Sequence, residues 1–278
     1  MSTITAEGKH AERWSRLDPR HLQQPAALVF NPNAGHKLGV DTNSSGPDEV
    51  RAALKSERIA FDAWPTERAG HATDLARQAV AEGRELVIAA GGDGTVNEVA
   101  HGLANTQTAL GLMPLGSVMN VARTLWVPRD LAGAAHTIAE GKVLAMDMGQ
   151  VGDRFFLEAA GVGLDAGLFG YFDRLTKGAH PLTVIRLGCA SCGRSAVPSS
   201  LSETTLADWE TRAPMVSVAN GPYVGAAYAI APDARIDDGL LDVVVFRNAS
   251  VPRVLLHLVL IACGRRCAWQ SGPDSRAG

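Results

Sequence analysis

Asp93 stands among glycines in Gly91-Gly92-Asp93-Gly94-Thr95, a combination suited to phosphate chemistry. Three side chains are removed in four positions, so the backbone is free to take positive φ values and turn its N–H groups toward one anion. Thr95 is placed to cap a helix running from Val96 to roughly Asn105, whose N-terminus would add partial positive charge at the same point. Asn97 and Glu98 follow on its first turn. Asp93 is the odd member, because a carboxylate beside a phosphate is repulsive unless it holds Mg²⁺ or hydrogen-bonds a hydroxyl or a water. A plain strand-to-helix turn with Asp93 as its cap is the simpler reading, but three glycines around one aspartate exceed what such a turn requires.

This loop needs a buried strand before it, and Leu86 to Ala90 is one: short, apolar and β-branched at its centre. Similar segments surround it. Ala26 to Phe30 ends in Asn31-Pro32-Asn33-Ala34-Gly35, a glycine-containing loop or a plain turn. Lys37 to Gly46 is a polar surface loop, and a helix follows from Pro47. Ile59 to Trp64 leads to Thr66, whose hydroxyl suits a phosphate or adenine, and to Gly70-His71 at the start of a helix from Ala72 to Glu82. His71 reads as a capping or packing histidine. Ala109 to Met113 ends in Pro114-Leu115-Gly116-Ser117, and Asn120 and Arg123 lie on the first turns of the helix that this loop opens. Arg123 is open between clamping phosphate and pairing with a surface carboxylate. A last helix spans Gly133 to Gly141.

Strand, loop and helix repeated four times predict a doubly wound parallel sheet, with the loops gathered at its carboxyl edge. From Val143 the pattern changes. Ala145 to Val151 and Phe155 to Gly161 flank a Gly152-Asp153 hairpin signal, and further strands are expected at Met215 to Ala219 and Leu240 to Phe246. The expected fold class is therefore α/β plus all-β, with an N-terminal parallel sheet and a C-terminal antiparallel β domain. A solvated leader is expected over residues 1–25, an α/β domain over 26–141, a β-rich domain over 142–262 and an atypical tail over 263–278. Residues 165–208 have no clear pattern beyond a helix at the start.

A net charge of −3 over 278 residues, with no basic stripe, argues against a nucleic-acid partner. No secretory signal is legible in residues 1–25, and the apolar run Val254 to Cys263 is too short to span a bilayer. A cytoplasmic protein is expected, with any membrane contact peripheral. The pairs Cys189/Cys192 and Cys263/Cys267 read as reduced thiols rather than a zinc site. Trp126, Trp209 and Trp269 read as packed rather than interfacial residues.

Gly-Gly-Asp-Gly-Thr resembles the nucleotide loop shared by diacylglycerol-kinase-like lipid kinases, NAD kinases and phosphofructokinases. Taken with Asn31 to Gly35, Thr66, Gly70-His71-Ala72, Pro114-Leu115-Gly116, Asn120, Arg123, Val218 to Gly225 and Asp237 to Asp242, it resembles the catalytic domain of the diacylglycerol kinase and sphingosine kinase family, in particular its bacterial lipid kinases. The resemblance implies transfer of the ATP γ-phosphoryl group to a lipid hydroxyl. It implies an ATP site between two domains involving Asn31, Pro32, Gly35, Thr66, Gly70, Gly91, Gly92, Asp93, Gly94, Thr95, Val96, Asn97, Glu98, Ser117 and Asn120. Asp93 is the implied catalytic residue, positioning Mg²⁺-ATP or the attacking hydroxyl. A structural Mg²⁺ loop is implied at Ala234 to Leu240, with the Asp238 carboxylate and the Arg235 and Leu240 carbonyls as ligands; a plain Asp-Gly turn is the alternative.

The chain departs from the family where Val118-Met119 replaces a small pair, which is expected to crowd the phosphate loop. No Asp-Gly-Glu, the family's proposed general-base segment, occurs after Asp242. The expectation there is a missing base, missing last strands and turnover that is weak or absent. Competing readings are a nucleotide-binding protein without catalysis and a soluble NAD kinase. The acceptor stays open among diacylglycerol, a sphingoid base, ceramide and a polyprenol, as does oligomeric state, a homodimer included.

Overall fold

Two strands made almost wholly of aliphatic residues form the centre of a four-stranded sheet, Ala26–Phe30 and Leu86–Gly91, and every residue of both is buried. A computed structural model describes residues 14–32, 36–37, 40–41, 46–116, 118–163, 215–225 and 228–246. In chain order the first elements are β1 (Trp14–Arg16), β2 (Ala26–Phe30), β3 (His36–Lys37), β4 (Val40–Asp41), α1 (Pro47–Ser56), β5 (Phe61–Pro65), α2 (His71–Ala81) and β6 (Leu86–Gly91). Then come α3 (Asp93–Leu103), β7 (Ala109–Pro114), α4 (Asn120–Thr124), α5 (Leu131–Ala139), β8 (Lys142–Leu144), β9 (Gly149–Val151) and β10 (Arg154–Phe156). The contacts divide the chain into two compact units between Leu157 and Glu158.

In the first unit the sheet runs in the order β5-β2-β6-β7, with all pairs parallel. The chain leaves β2 to one side for β5 and crosses back to the other side for β6. The carboxyl ends of β2 and β6 therefore form a topological switch point, the place where open α/β sheets bind ligands. The period-2 alternation of the strands supplies two apolar faces. Ala27, Val29, Val87 and Ala89 pack with Ala72, Ala76, Val96, Val99 and Leu103 of α2 and α3, while Leu28, Ile88 and Ala90 pack with Val50 and Leu54 of α1 and Ala134 and Ala135 of α5. Helices thus cover both faces, the doubly wound arrangement expected from sequence.

Several boundaries differ. Residues 14–24 are no solvated leader: β1 pairs antiparallel with β8, the Leu17 N–H donates to Gly141 O at 3.0 Å, and Leu17 and Leu22 pack against the core. Arg20 adds bonds to Glu57 and the Ala139 carbonyl. Because β8 is tied to β1 in this way, the unit boundary falls at Leu157/Glu158 rather than at the change of pattern near residue 142. The Gly152-Asp153 hairpin forms between β9 and β10, with Gly152 at φ 61°, but its strands are shorter than expected. Within the surface loop expected at 37–46, β3 and β4 pair antiparallel.

The second unit contains β11 (Ala159–Gly163), β12 (Met215–Ala219), β13 (Tyr223–Val224), β14 (Tyr228–Ala229) and β15 (Asp242–Phe246). β11, β12 and β15 form an antiparallel sheet with β12 in the middle, and β13 pairs antiparallel with β14. Ala219, Val224, Ile230, Ala231 and Ala234 make its small apolar core. The four cysteines, Trp209, Trp269 and the expected tail lie outside the described residues.

Candidate functional site

Three strand-end segments are laced together at the switch point. The Asn31 N–H donates to Ala90 O at 3.1 Å, the Thr66 N–H to Phe30 O at 2.9 Å, and the Leu115 N–H to Gly91 O at 3.0 Å. These bonds carry the parallel ladder one residue beyond the strands. Asn31, Thr66 and the Gly91–Asp93 segment are therefore held along one edge. Gly35 and Ser117, expected here too, lie outside the described residues.

The glycines serve space rather than unusual φ. Gly92 has φ −88°, and Gly91 and Gly94 are absent from the residues with positive φ. A Cβ on Gly91 would lie 2.6 Å from Thr95 Cβ, and one on Gly116 would lie 2.7 Å from Gly92 Cα, so the loops after β6 and β7 meet backbone to backbone. A Cβ on Gly94 meets nothing within 4 Å. Helix α3 begins at Asp93 with Gly92 as its cap, three residues earlier than expected, which places Thr95 inside the first turn instead of at the cap. Val96 is 0% exposed, and its N–H donates to Gly92 O at 3.1 Å, so its side chain belongs to the core and not to a ligand surface.

Asp93 ties this loop to the next one. Its Oδ2 accepts from the Met119 N–H at 2.9 Å and its Oδ1 from the Asn120 N–H at 2.8 Å, at the start of α4. Two backbone donors thus compensate a carboxylate that would otherwise repel an anion. Each oxygen keeps a second lone pair for a hydroxyl, water or cation. Met119 adopts φ 55° and is 1% exposed, so the bulky residue expected to crowd the loop is turned into the core, and Asn120 is 2% exposed beside it. Arg129 Nη2 donates to Gly116 O at 3.0 Å, bracing the same loop. Nothing in the spacing around Pro128 signalled that contact.

Glu98 acts on the second loop. Its Oε2 accepts from the Ala72 N–H at 3.3 Å in the first turn of α2, while Thr73 Oγ1 donates to the Glu98 carbonyl at 2.8 Å. Gly70, at φ 81°, is the N-cap of α2 and needs its missing side chain. His71 Nδ1 accepts from the Glu67 N–H at 3.1 Å, the capping role expected of it. Pro32 and Asn97 are exposed.

In the second unit, Arg235 pairs with Asp237 through contacts of 3.2 and 3.3 Å. The Asp237 hydrogen bond, then its charge, pushes the Arg235 guanidinium up. Asp238 Oδ1 accepts from the Leu240 N–H at 3.0 Å across Gly239, whose φ is 77°. This is an Asp-Gly turn, and it leaves Asp238 Oδ2 and backbone carbonyls as hard oxygen donors, a set whose chemistry fits Mg²⁺. Among the described residues, no group of three His, Cys, Asp or Glu side chains could hold a metal.

Residues 25–151 match the model of the diacylglycerol kinase catalytic domain, and residues 203–270 match that of the YegS C-terminal NAD kinase beta sandwich-like domain. The class is thus a kinase-type protein with an NAD kinase-like fold. Over these two stretches the chain is similar to diacylglycerol kinases. It is similar to the diacylglycerol kinases of Staphylococcus aureus strains JH9 and NCTC 8325, at 28% identity over 246 residues, 87% of this chain and 76% of each relative. A solved diacylglycerol kinase from Bacillus anthracis str. Sterne shares the fold with a TM-score of 0.63 at 24% identity, covering 84% of this chain and 80% of that one.

Proposed function

We propose that this protein is an ATP-dependent lipid kinase that moves the γ-phosphoryl group of ATP to the hydroxyl of a diacylglycerol-like lipid. One observation carries the reading beyond the family. At the switch point of the sheet, a carboxylate with capacity to spare sits beside Gly94, where an added Cβ would meet nothing within 4 Å, room enough for a phosphate. In the reaction the bond from the γ-phosphorus to the β,γ-bridging oxygen breaks, a bond to the lipid oxygen forms, ADP leaves and the hydroxyl proton passes to the Asp93 carboxylate or to water. Such chemistry depends on positioning and charge neutralisation more than on covalent participation by the protein. Asp93 is the catalytic residue of this proposal, orienting Mg²⁺-ATP or the attacking hydroxyl. Asn31, Thr66 and the first turn of α3 hold the nucleotide. Asp238, with the Arg235 and Leu240 carbonyls, would hold a structural Mg²⁺ in the second unit.

The test is incubation with labelled ATP and Mg²⁺ against separate acceptors: diacylglycerol, a sphingoid base, ceramide, a polyprenol and NAD. Label in diacylglycerol alone is the expected result. Label in NAD instead would overturn the lipid reading, and ATP binding without transfer to any acceptor would leave a non-catalytic nucleotide-binding protein.

A further inference from the structure

Trp126 is 91% exposed, ahead of Val151 at 60% and Leu240 at 41% among the described large apolar residues. Its backbone makes the exposure harder to explain. The Val127 N–H donates to Ala122 O at 2.9 Å and the Trp126 N–H to Arg123 O at 3.2 Å, the paired bonds of a Schellman motif at the end of α4. Trp126 occupies its left-handed position at φ 57°, where glycine is the usual residue because an L side chain is crowded there. The chain therefore carries a strained backbone and a solvated indole at one residue. Folding alone favours neither, and the packed role expected from sequence is excluded by the exposure.

We propose that Trp126 is a membrane anchor, inserting its indole among the headgroups of an anionic bilayer. An indole, apolar with one polar N–H, is favoured at that depth. Arg123 and Arg129 are exposed on either side of it, with Asp130 adjacent, so two cationic side chains and one acidic one flank the indole where anionic headgroups would lie. Trp126 also lies at the far end of a one-turn helix, roughly 8 Å long, whose first N–H groups are held by Asp93. A bilayer gripped there lies close to the loop assigned to phosphate. The choice of a lipid partner rests on the lipid-kinase reading.

The experiment is co-sedimentation, without nucleotide, of the full chain with vesicles of phosphatidylcholine and phosphatidylglycerol, comparing wild type with Trp126→Gly and Trp126→Phe. Glycine relieves the left-handed strain, so Trp126→Gly melts no lower than wild type, while its vesicle partition falls about tenfold. Phenylalanine keeps part of the binding. Wild-type partition by Trp126→Gly, or no vesicle binding by wild type, overturns the anchor, as does loss of a dimer in Trp126→Gly with partition unchanged. Phosphoryl transfer to a short-chain, water-soluble diacylglycerol is measured alongside. Trp126-dependent partition without any transfer removes the kinase reading and leaves the anchor; transfer with Trp126-independent partition does the reverse.

Discussion

A methyl group added at Gly91 would lie 2.6 Å from Thr95 Cβ, whereas one added at Gly94 would meet nothing within 4 Å. The two glycines therefore answer different demands, one from inside the fold and one from outside it. Gly91→Ala should lower stability by about 1–3 kcal/mol in denaturant unfolding, because the buried strand end and Thr95 have to part. Gly94→Ala, in the first turn of α3, should be neutral or stabilising by up to about 1 kcal/mol and should weaken ATP binding in calorimetry, since the methyl fills the space left for phosphate. Unchanged ATP affinity in Gly94→Ala would contradict the assignment. The glycine cluster was legible in sequence as a strand-to-helix loop, but the close contacts at Gly91 and between Gly92 and Gly116 were not. Positive φ is a local property that a sequence suggests, whereas the approach of Gly116 to Gly92 belongs to two loops brought together only by the sheet. The same holds for Asp93, whose partners Met119 and Asn120 are more than twenty residues away.

Helices α2 and α3 meet closely because Gly102 has no side chain; a Cβ there would lie 2.6 Å from Ala76 Cβ and 2.7 Å from Thr73 O. Gly102→Ala should cost about 1–3 kcal/mol and loosen the Glu98 contact with the start of α2, read as faster amide exchange at Ala72 and Thr73. Protection equal to wild type would argue against that coupling. On the opposite face of the sheet, Glu57 at the end of α1 accepts from His136 Nδ1 of α5 at 3.1 Å and from Arg20 Nη2 at 3.0 Å. The His136 hydrogen bond, and after it that of Arg20, holds the Glu57 carboxyl below its ordinary value of 4.5. A depressed carboxylate stabilises the fold above its unfolded pKa, and the contribution is lost as pH falls through the folded value. Between pH 5 and pH 3, both approximate, the unfolding midpoint should drop more steeply for wild type than for Glu57→Gln. Parallel slopes would remove this tie from the account of acid stability. The buried strands were legible because a sheet covered on both faces needs continuous apolar runs. The start of α3 was not, since Gly92 supplies an extended cap that has no side-chain signature.

At the level of the whole chain, the order α/β then antiparallel β was readable from the change of period after residue 142, and the structure bears out that fold class. The role of residues 14–24 was not readable, because their hold depends on distant partners: β8, Glu57, Glu82 O for Gln24, and Glu85 for the Gln23 N–H. Deleting residues 1–24 should therefore lower the melting temperature of the rest rather than leave it unchanged, as loss of a loose leader would. The proposed reaction carries phosphate from ATP to a lipid through the loop around Asp93. The measurement that tests it most directly is labelled-phosphate transfer from ATP to diacylglycerol by wild type and Asp93→Asn, each checked by thermal melting. Asparagine keeps one acceptor for the start of α4, so the variant should stay folded at a cost of about 1–3 kcal/mol. The expected result is transfer by wild type and a loss of roughly a hundredfold or more in folded Asp93→Asn. Wild-type transfer rates in that variant, or no transfer by folded wild type, would contradict the claim.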